Sequence, residues 1–288
     1  MLPKKKKIKY IIFVLVIYFG ASLSLNNAEE KQMIKGTIYL GGEVFNKIDL
    51  NTKKWEVIYG GATSEGFRGF RYPNILNNDL LILCTGNKLI QYFSLKDKKF
   101  VPVTEGVKPV YVQEINSIFY YKYFYHNSKE GLFQKKLDGS GQEEFITDNI
   151  YGVLVKISPS EVAYYSKDKK IEIYNFINKT FRTIDITGYN PWAFYAKKNS
   201  FICREEDDKS FYFVNIATLE KEEINIKNPN LIKWCIIPVE DYNCLIYSKI
   251  RVVFIAEYED MYIYWIDRKK EEKYLKNFGI TSGVYLKD

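Results

Sequence analysis

The sequence predicts an all-β fold, a six-bladed β-propeller with four-stranded blades. Three observations predict it: a strand–turn–strand segment recurs six times, further strands precede these segments, and the two chain ends hold complementary parts of one unit. The composition agrees, because the 25 Tyr and 19 Phe belong to residue types that favour strands. Hydrophobic residues make up 47% of the 288 residues, which is enough for a sizeable core.

The recurring segment is a β-hairpin, and residues 131–148, GLFQKKLDGSGQEEFITD, illustrate it. A short strand runs into the turn Asp138-Gly139-Ser140-Gly141, which favours positive φ, and a second strand follows. Every copy has an alternating apolar strand, a polar turn and a second strand with charged outer positions. The marker residues of the six copies are Asp49, Ser94, Lys136, Asn175, Asn215 and Asp267, spaced 45, 42, 39, 40 and 52 residues apart. Such a period with four short strands per unit is typical of propeller blades.

The chain ends indicate how the ring closes. Two strands can be read before the later hairpins, for example VYVQE and SIFYYKY before the third. The first hairpin has only one, GTIYLG at residues 36–41, whereas ITSGVYLKD is left over at the C-terminus. The sequence therefore predicts that the last strand completes the first blade and closes a propeller over residues 34–288. Closure removes the open edges that make sheets aggregate.

Two short motifs carry a family resemblance. LDGSG follows an aromatic-rich strand, and Tyr264-Trp265-Ile266-Asp267 has Ile where the YWTD pattern has Thr. Over residues 34–288 the chain resembles the six-bladed TolB-like and YWTD-type propellers. This resemblance implies a binding or scaffolding protein, although the fold also hosts enzymes.

The N-terminus has the pattern of an export signal. MLPKKKKIKY is basic, and the following apolar segment, Tyr10 to Leu25, has 16 residues. As a helix it would span ~24 Å, less than the ~30 Å hydrocarbon core. The length favours a cleaved signal peptide, but the absence of an A-x-A site leaves an N-terminal hydrophobic helix as membrane anchor open. In either case residues 1–28 comprise the signal or anchor with a short linker, and the body is expected to be periplasmic or extracellular.

An exported chain makes the cysteines relevant, because disulfides persist outside the cytoplasm. Cys235 and Cys244 flank a predicted turn, so a disulfide between them and two buried thiols are both open. Cys84 and Cys203 are expected to be buried thiols in separate blades.

Composition argues against several classes of function. The formal charge is +7, but residues 1–28 contribute five lysines and no acid, which leaves 37 basic and 35 acidic residues in the body. This near-neutral body predicts no nucleic-acid binding. His126 is the single histidine and no GxSxG occurs, so we expect no catalytic residues, no metal site and no cofactor.

Three atypical loops are expected to emerge on one face of the ring. They are residues 60–73 (GGATSEGFRGFRYP), 125–131 (YHNSKEG) and 248–260 (SKIRVVFIAEYED). The residues predicted to surround the mouth of the ring there are Arg68, Phe70, Arg71, Tyr72, His126 and Trp192. Arginine and aromatic side chains are common interface anchors. Two alternatives stay open: that Phe67 and Phe70 instead fill the gap between blades, and that RVVFIAEY extends a blade strand.

These observations predict a monomeric, exported or membrane-tethered propeller that binds a protein or peptide through its loop-rich face. An immunity or inhibitor protein is a narrower version of the same prediction. A lyase or hydrolase using carboxylates and Tyr in the central channel, and a small-molecule sensor, are the alternatives.

Overall fold

A computed structural model describes residues 33–42, 44–60, 69–122, 129–206, 210–233, 235–253, 256–276, 278 and 282–287. The chain divides into two units, Met1–Ile34 and Lys35–Asp288. The predicted export segment, residues 1–28, lies outside the described residues, as do Arg68 and His126. Within the ranges described, no helix is long and apolar enough to cross a membrane.

The described part of Lys35–Asp288 forms six antiparallel four-stranded sheets, as the sequence predicts. Blade 1 contains β1 (Thr37–Gly41), β2 (Phe45–Asp49) and β3 (Trp55–Tyr59). Blade 2 contains β4 (Phe70–Asn77), β5 (Leu80–Thr85), β6 (Leu89–Ser94) and β7 (Phe100–Glu105). Blade 3 contains β8 (Val107–Val112), β9 (Ser117–Lys122), β10 (Gly131–Lys136) and β11 (Glu143–Thr147). Blade 4 contains β12 (Leu154–Ser158), β13 (Glu161–Tyr165), β14 (Ile171–Asn175) and β15 (Thr180–Ile184). Blade 5 contains β16 (Tyr189–Tyr195), β17 (Ser200–Glu205), β18 (Phe211–Asn215) and β19 (Lys221–Ile224). Blade 6 contains β20 (Ile236–Val239), β21 (Cys244–Val253), β22 (Ala256–Trp265) and β23 (Lys270–Leu275). The last strand, β24 (Ser282–Leu286), returns to blade 1.

Strand β24 closes the ring. It pairs antiparallel with β1, from Thr37 opposite Leu286 to Gly41 opposite Ser282. The predicted completion of the first blade by the C-terminal strand is therefore confirmed. The closure is reinforced from blade 6, because the Tyr274 hydroxyl donates a hydrogen bond to the Leu50 carbonyl of blade 1.

One backbone hydrogen bond recurs in all six blades. The residue that follows the hairpin marker donates its N–H to the carbonyl of the residue directly before the second strand of the same blade. The donor–acceptor pairs are Leu50–Gly36, Leu95–Asp79, Leu137–Asn116, Phe176–Ser160, Ile216–Asn199 and Ile266–Asn243, with N···O distances of 2.8 to 3.1 Å. In blade 6 the donor is Ile266, so the residue equivalent to the other markers is Trp265. The predicted marker Asp267 lies two residues too far along the chain.

Three of the first-to-second-strand turns are short 3₁₀ helices, Gln113–Ile115, Ala196–Lys198 and Glu240–Tyr242. Each is followed by an asparagine in the left-handed conformation, Asn116, Asn199 or Asn243. Asparagine tolerates positive φ better than most residues. A fourth 3₁₀ helix, Pro229–Leu231, lies between blades 5 and 6.

The hydrophobic core lies between neighbouring blades. Strand β5 shows why, because its apolar run LLILC is buried on both faces. Leu81 and Leu83 pack with Phe45 of blade 1, whereas Ile82 packs with Ile118 and other residues of blade 3. Successive side chains of a strand point to opposite faces. A fully buried strand therefore stabilises two blade interfaces at once.

Blade 6 carries a protruding ribbon. Strands β21 and β22 pair over ten residues each, but β20 pairs only with Cys244 to Tyr247 and β23 only with Met261 to Trp265. The ribbon, residues 248–253 and 256–260, therefore extends past the sheet. The alternative that RVVFIAEY extends a blade strand is confirmed for its described residues.

A buried carboxylate lies at the base of this ribbon. The side chain of Asp260 has 0% exposure and accepts bonds from Arg251 Nε at 3.2 Å and Lys273 Nζ at 2.7 Å. A buried charge is tolerated only when it is paired in this way.

We expect Gly41→Ala to destabilise the ring closure. An added Cβ would lie 2.4 Å from the Phe70 carbonyl oxygen and 2.5 Å from Ser282 Oγ, so blades 1 and 2 would have to separate. Overpacking of this kind costs about 1–3 kcal/mol, measured as the free energy of unfolding in urea. Gly60→Ala is the control, because its Cβ would meet only Val57 Cγ1 at 3.9 Å. Equal losses for the two variants would contradict this account.

Asp260→Asn is expected to lower the unfolding free energy by about 2–3 kcal/mol, because two charge-assisted hydrogen bonds lose their acceptor charge. Asp241→Asn is the matched control, since Asp241 pairs with Lys287 at 3.3 Å on the exposed surface. A surface pair contributes at most about 1 kcal/mol. An unchanged unfolding free energy for Asp260→Asn in urea denaturation would show that the ribbon does not depend on this carboxylate.

Candidate functional site

The innermost strands of the six blades surround a central channel of about 1330 Å³. These strands are β4, β8, β12, β16, β20 and β24. Each innermost strand begins at the face where one blade connects to the next; this face, which also bears the turns between second and third strands, is called the connection face. The ribbon of blade 6 belongs to the second and third strands of that blade and therefore protrudes on the connection face.

Prolines occupy the channel wall. Pro73, Pro109, Pro191 and Pro238 lie in four of the innermost strands and line the channel. An innermost strand is an edge strand, so its channel side offers backbone groups that no neighbouring strand pairs with. Proline lacks an N–H and is confined to such edges.

Two of these prolines follow strained residues. Tyr72 has φ 54° and Lys108 has φ 52°, and each precedes a proline within a β-bulge of its strand. Left-handed backbone outside glycine costs of order 1–3 kcal/mol, and such residues cluster at functional sites. The equivalent bulges place Tyr72 and Lys108 at the same level of adjacent blades.

The charged residues of the channel wall are cationic. They are Arg71, Lys108 and Lys156, and no Asp or Glu is present among the described residues that line the channel. Lys156 is neutralised, because its Nζ lies 2.6 Å from Glu114 Oε1. Lys108 Nζ instead donates to the Gly152 carbonyl at 3.0 Å. Burial lowers the pKa of Lys108.

Aromatic side chains complete the wall. Tyr151 is 68% exposed, and its ring centroid is 6.4 Å from that of Tyr165. Trp192 is half-buried and packs edge-on against Phe211 at 5.2 Å, with the Arg204 guanidinium 5.7 Å from its ring. Tyr151 is thus available to a ligand, whereas Trp192 is held mainly by its own blade.

The structure separates the predicted site residues into three groups. Arg71, Tyr72 and Trp192 line the channel. Phe70 does not: it is buried and packs with Phe45 and Phe100 between blades 1 and 2. For Phe70 the alternative of filling the gap between blades is therefore correct. Arg68 and His126 lie outside the described residues.

Sequence reasoning missed Lys108, Tyr151 and Lys156. Lys108 belongs to the connection GVKP, whose shortness gave no reason to consider it. The proline that follows Lys108 is the signal that could have identified it, because Tyr72 in RYP of the preceding blade is also followed directly by proline.

Of the two alternatives left open for Cys235 and Cys244, the structure has free thiols. Cys244 lies opposite Val239, whereas Cys235 precedes Ile236, which lies opposite Tyr247. The two cysteines thus sit at opposite ends of the β20–β21 pairing, and no disulfide links these two described residues. Burial raises the pKa of Cys84 and of Cys244 to about 12, so both are expected to stay protonated and unreactive. Within the described ranges, no three His, Cys, Asp or Glu residues are grouped to hold a metal ion.

No family model and no curated protein matches this chain. Solved structures do match its fold. TolB from Acinetobacter baumannii superposes with a TM-score of 0.70 at 11% identity, covering 88% of this chain and 67% of TolB. A chain of the nidogen/laminin complex gives 0.59 at 10% identity, with coverages of 87% and 97%. Oligogalacturonate lyase in complex with manganese gives 0.56 at 11% identity, with coverages of 81% and 70%.

Identities this low show the fold alone. The resemblance to six-bladed TolB-like and YWTD-type propellers is confirmed at that level. A shared fold does not imply a shared function, which depends on the residues of the site.

Proposed function

We propose that this chain is an exported or membrane-tethered β-propeller that binds a protein or peptide with its connection face. The observation that carries the proposal is the set of exposed anchor residues on that face. Arg71 and Tyr151 lie at the mouth of the channel, and the ribbon of blade 6 adds Val252 and Tyr258, which are 62% and 41% exposed. Arginine and tyrosine are enriched among residues that dominate binding energy.

The outer part of the ribbon suits this role because its two strands pair there only with each other, from Arg251 opposite Tyr258 to Val253 opposite Ala256. The Arg251 guanidinium lies 5.3 Å from the Tyr258 ring, so both side chains are partly ordered before any partner arrives. Pre-ordered side chains lose less entropy on binding.

The fold neighbours support binding without identifying a partner. One of them is a propeller from the nidogen/laminin complex, which is itself an assembly of proteins. An immunity or inhibitor protein that neutralises an exported toxin is a narrower form of the proposal. An enzyme acting through channel carboxylates has less support, since the described channel lining contains none.

Arg71→Ala with Tyr151→Ala is expected to reduce recovery of a partner at least ~10-fold, because hot-spot truncations cost more than ~1.4 kcal/mol. The measurement is affinity capture from envelope extract with the tagged full chain, quantified by mass spectrometry. Lys197→Ala with Ile177→Ala is the matched control, since this cation and apolar residue are exposed in turns on the opposite face. Unchanged recovery with the first pair, or no specific partner for the unmodified chain, would count against the proposal.

Export has a separate test. Residues 1–28, fused to alkaline phosphatase, should yield an enzyme that is active outside the cytoplasm, because the basic segment stays inside while the apolar segment enters the bilayer. The control replaces Val14 and Leu15 by Asp, which makes the segment too polar to insert. Inactive phosphatase with the unmodified segment would show that the chain is not exported by it.

A further inference from the structure

We infer that the connection end of the channel binds a small organic polyanion, held by its carboxylate or phosphate groups between Arg71 and Lys108. This site shares Arg71 with the proposed partner surface, but it does not require that a protein binds to that face.

The two cations are brought together by neighbouring strands. Arg71 and Lys108 lie near the start of β4 and β8, the innermost strands of blades 2 and 3, and Arg71 directly precedes Tyr72, the equivalent of Lys108. The strands are tied together, because Asn74 Nδ2 donates to the Pro109 carbonyl at 2.7 Å and the Tyr111 N–H donates to Asn74 Oδ1 at 3.4 Å. Both cationic residues therefore belong to one rigid corner of the channel wall.

Neither cation has a carboxylate partner among the described residues. Lys108 Nζ is fixed by a neutral carbonyl of Gly152, which orients the ammonium without neutralising it. Arg71 is exposed, with no hydrogen bond or ion pair to the described residues. Lys156 on the same channel wall, in contrast, is paired with Glu114 at 2.6 Å. A partly buried cation without a counter-charge is unfavourable, and an anion would supply that charge.

The surroundings favour a compact ligand over a single ion. The channel volume of about 1330 Å³ exceeds what one phosphate or carboxylate group fills, and drug-sized ligands occupy pockets of about 300–1,000 Å³. Tyr72 and Tyr151 border the same corner and offer apolar ring surface together with hydroxyl groups. The other charged groups on the described channel wall are Arg71 and Lys156, and Lys156 is paired with Glu114, so Arg71 and Lys108 supply the unpaired positive charge of this lining.

The test is isothermal titration calorimetry of the full chain with citrate and with pyrophosphate at fixed ionic strength, with trimethyl citrate as the uncharged control. We expect both anions to bind and the ester not to bind. Arg71→Gln and Lys108→Gln should each weaken binding at least ~10-fold, as loss of one charge-assisted contact does. Lys156→Gln and Lys47→Gln should change it less than ~3-fold, because both lysines already pair with glutamates.

A second readout uses pH. The lowered pKa of Lys108 means that the free site loses this charge at a lower pH than an ordinary lysine with pKa 10.5. When the pH is raised, citrate affinity should therefore already fall at pH values below 10.5. This fall should be absent in Lys108→Arg, whose guanidinium stays charged. Circular dichroism checks that each variant is folded.

Three results would overturn the inference. They are no binding of either anion up to ~10 mM, binding that Arg71→Gln and Lys108→Gln leave unchanged, and binding of an acidic peptide without citrate or pyrophosphate. The last result would assign the two cations to the partner surface instead. Conversely, citrate binding in a chain that captures no partner would retain this site while the proposed function failed.

Discussion

The pairing of β24 with β1 is the contact on which the rest of the structure depends. It joins residues near the two ends of the propeller, Thr37 opposite Leu286, and so the ring cannot close until nearly the whole chain is in place. Without it, blade 1 would lack its innermost strand and expose an unpaired edge. The channel would also lose part of its wall, since Ser282, Gly283 and Val284 line it. Fold and candidate site therefore share one long-range constraint.

The repeat was predictable from the sequence because each blade repeats the same physical problem. A polar turn must reverse the chain, and the next apolar residue must be buried against the blade's first turn, as Leu50, Phe176 and Ile266 are. In blade 6 the turn chemistry favours Asp267 as the marker, whereas the backbone hydrogen bond of Ile266 identifies Trp265 as the equivalent position. The apolar residue that follows each marker identifies equivalent positions in the six blades more reliably than the turn residues do. Tertiary packing, and not turn chemistry, determines which positions are equivalent.

The site was less predictable, and Phe70 with Arg71 shows the reason. Adjacent residues of a strand point to opposite sides, so one joins the aromatic cluster between blades and the other faces the channel. A loop-like composition could not decide which residue does which. Lys108 was harder still, because its position depends on a β-bulge and a positive φ before Pro109 that no local pattern announces. Irregular backbone of this kind is maintained by neighbouring blades, which a linear sequence does not display.

The prolines and cations of the channel belong to one chemical arrangement. Pro73, Pro109, Pro191 and Pro238 remove N–H donors from the channel wall, while the carbonyl groups of the edge strands remain. A wall rich in carbonyls would by itself repel an anion, so any anion specificity has to come from side chains. Lys108 already uses one such carbonyl, that of Gly152, as its support. The prolines keep the innermost strands from pairing with other chains. Because they also remove N–H donors from the wall, recognition of an anion depends on two cationic side chains at the channel mouth.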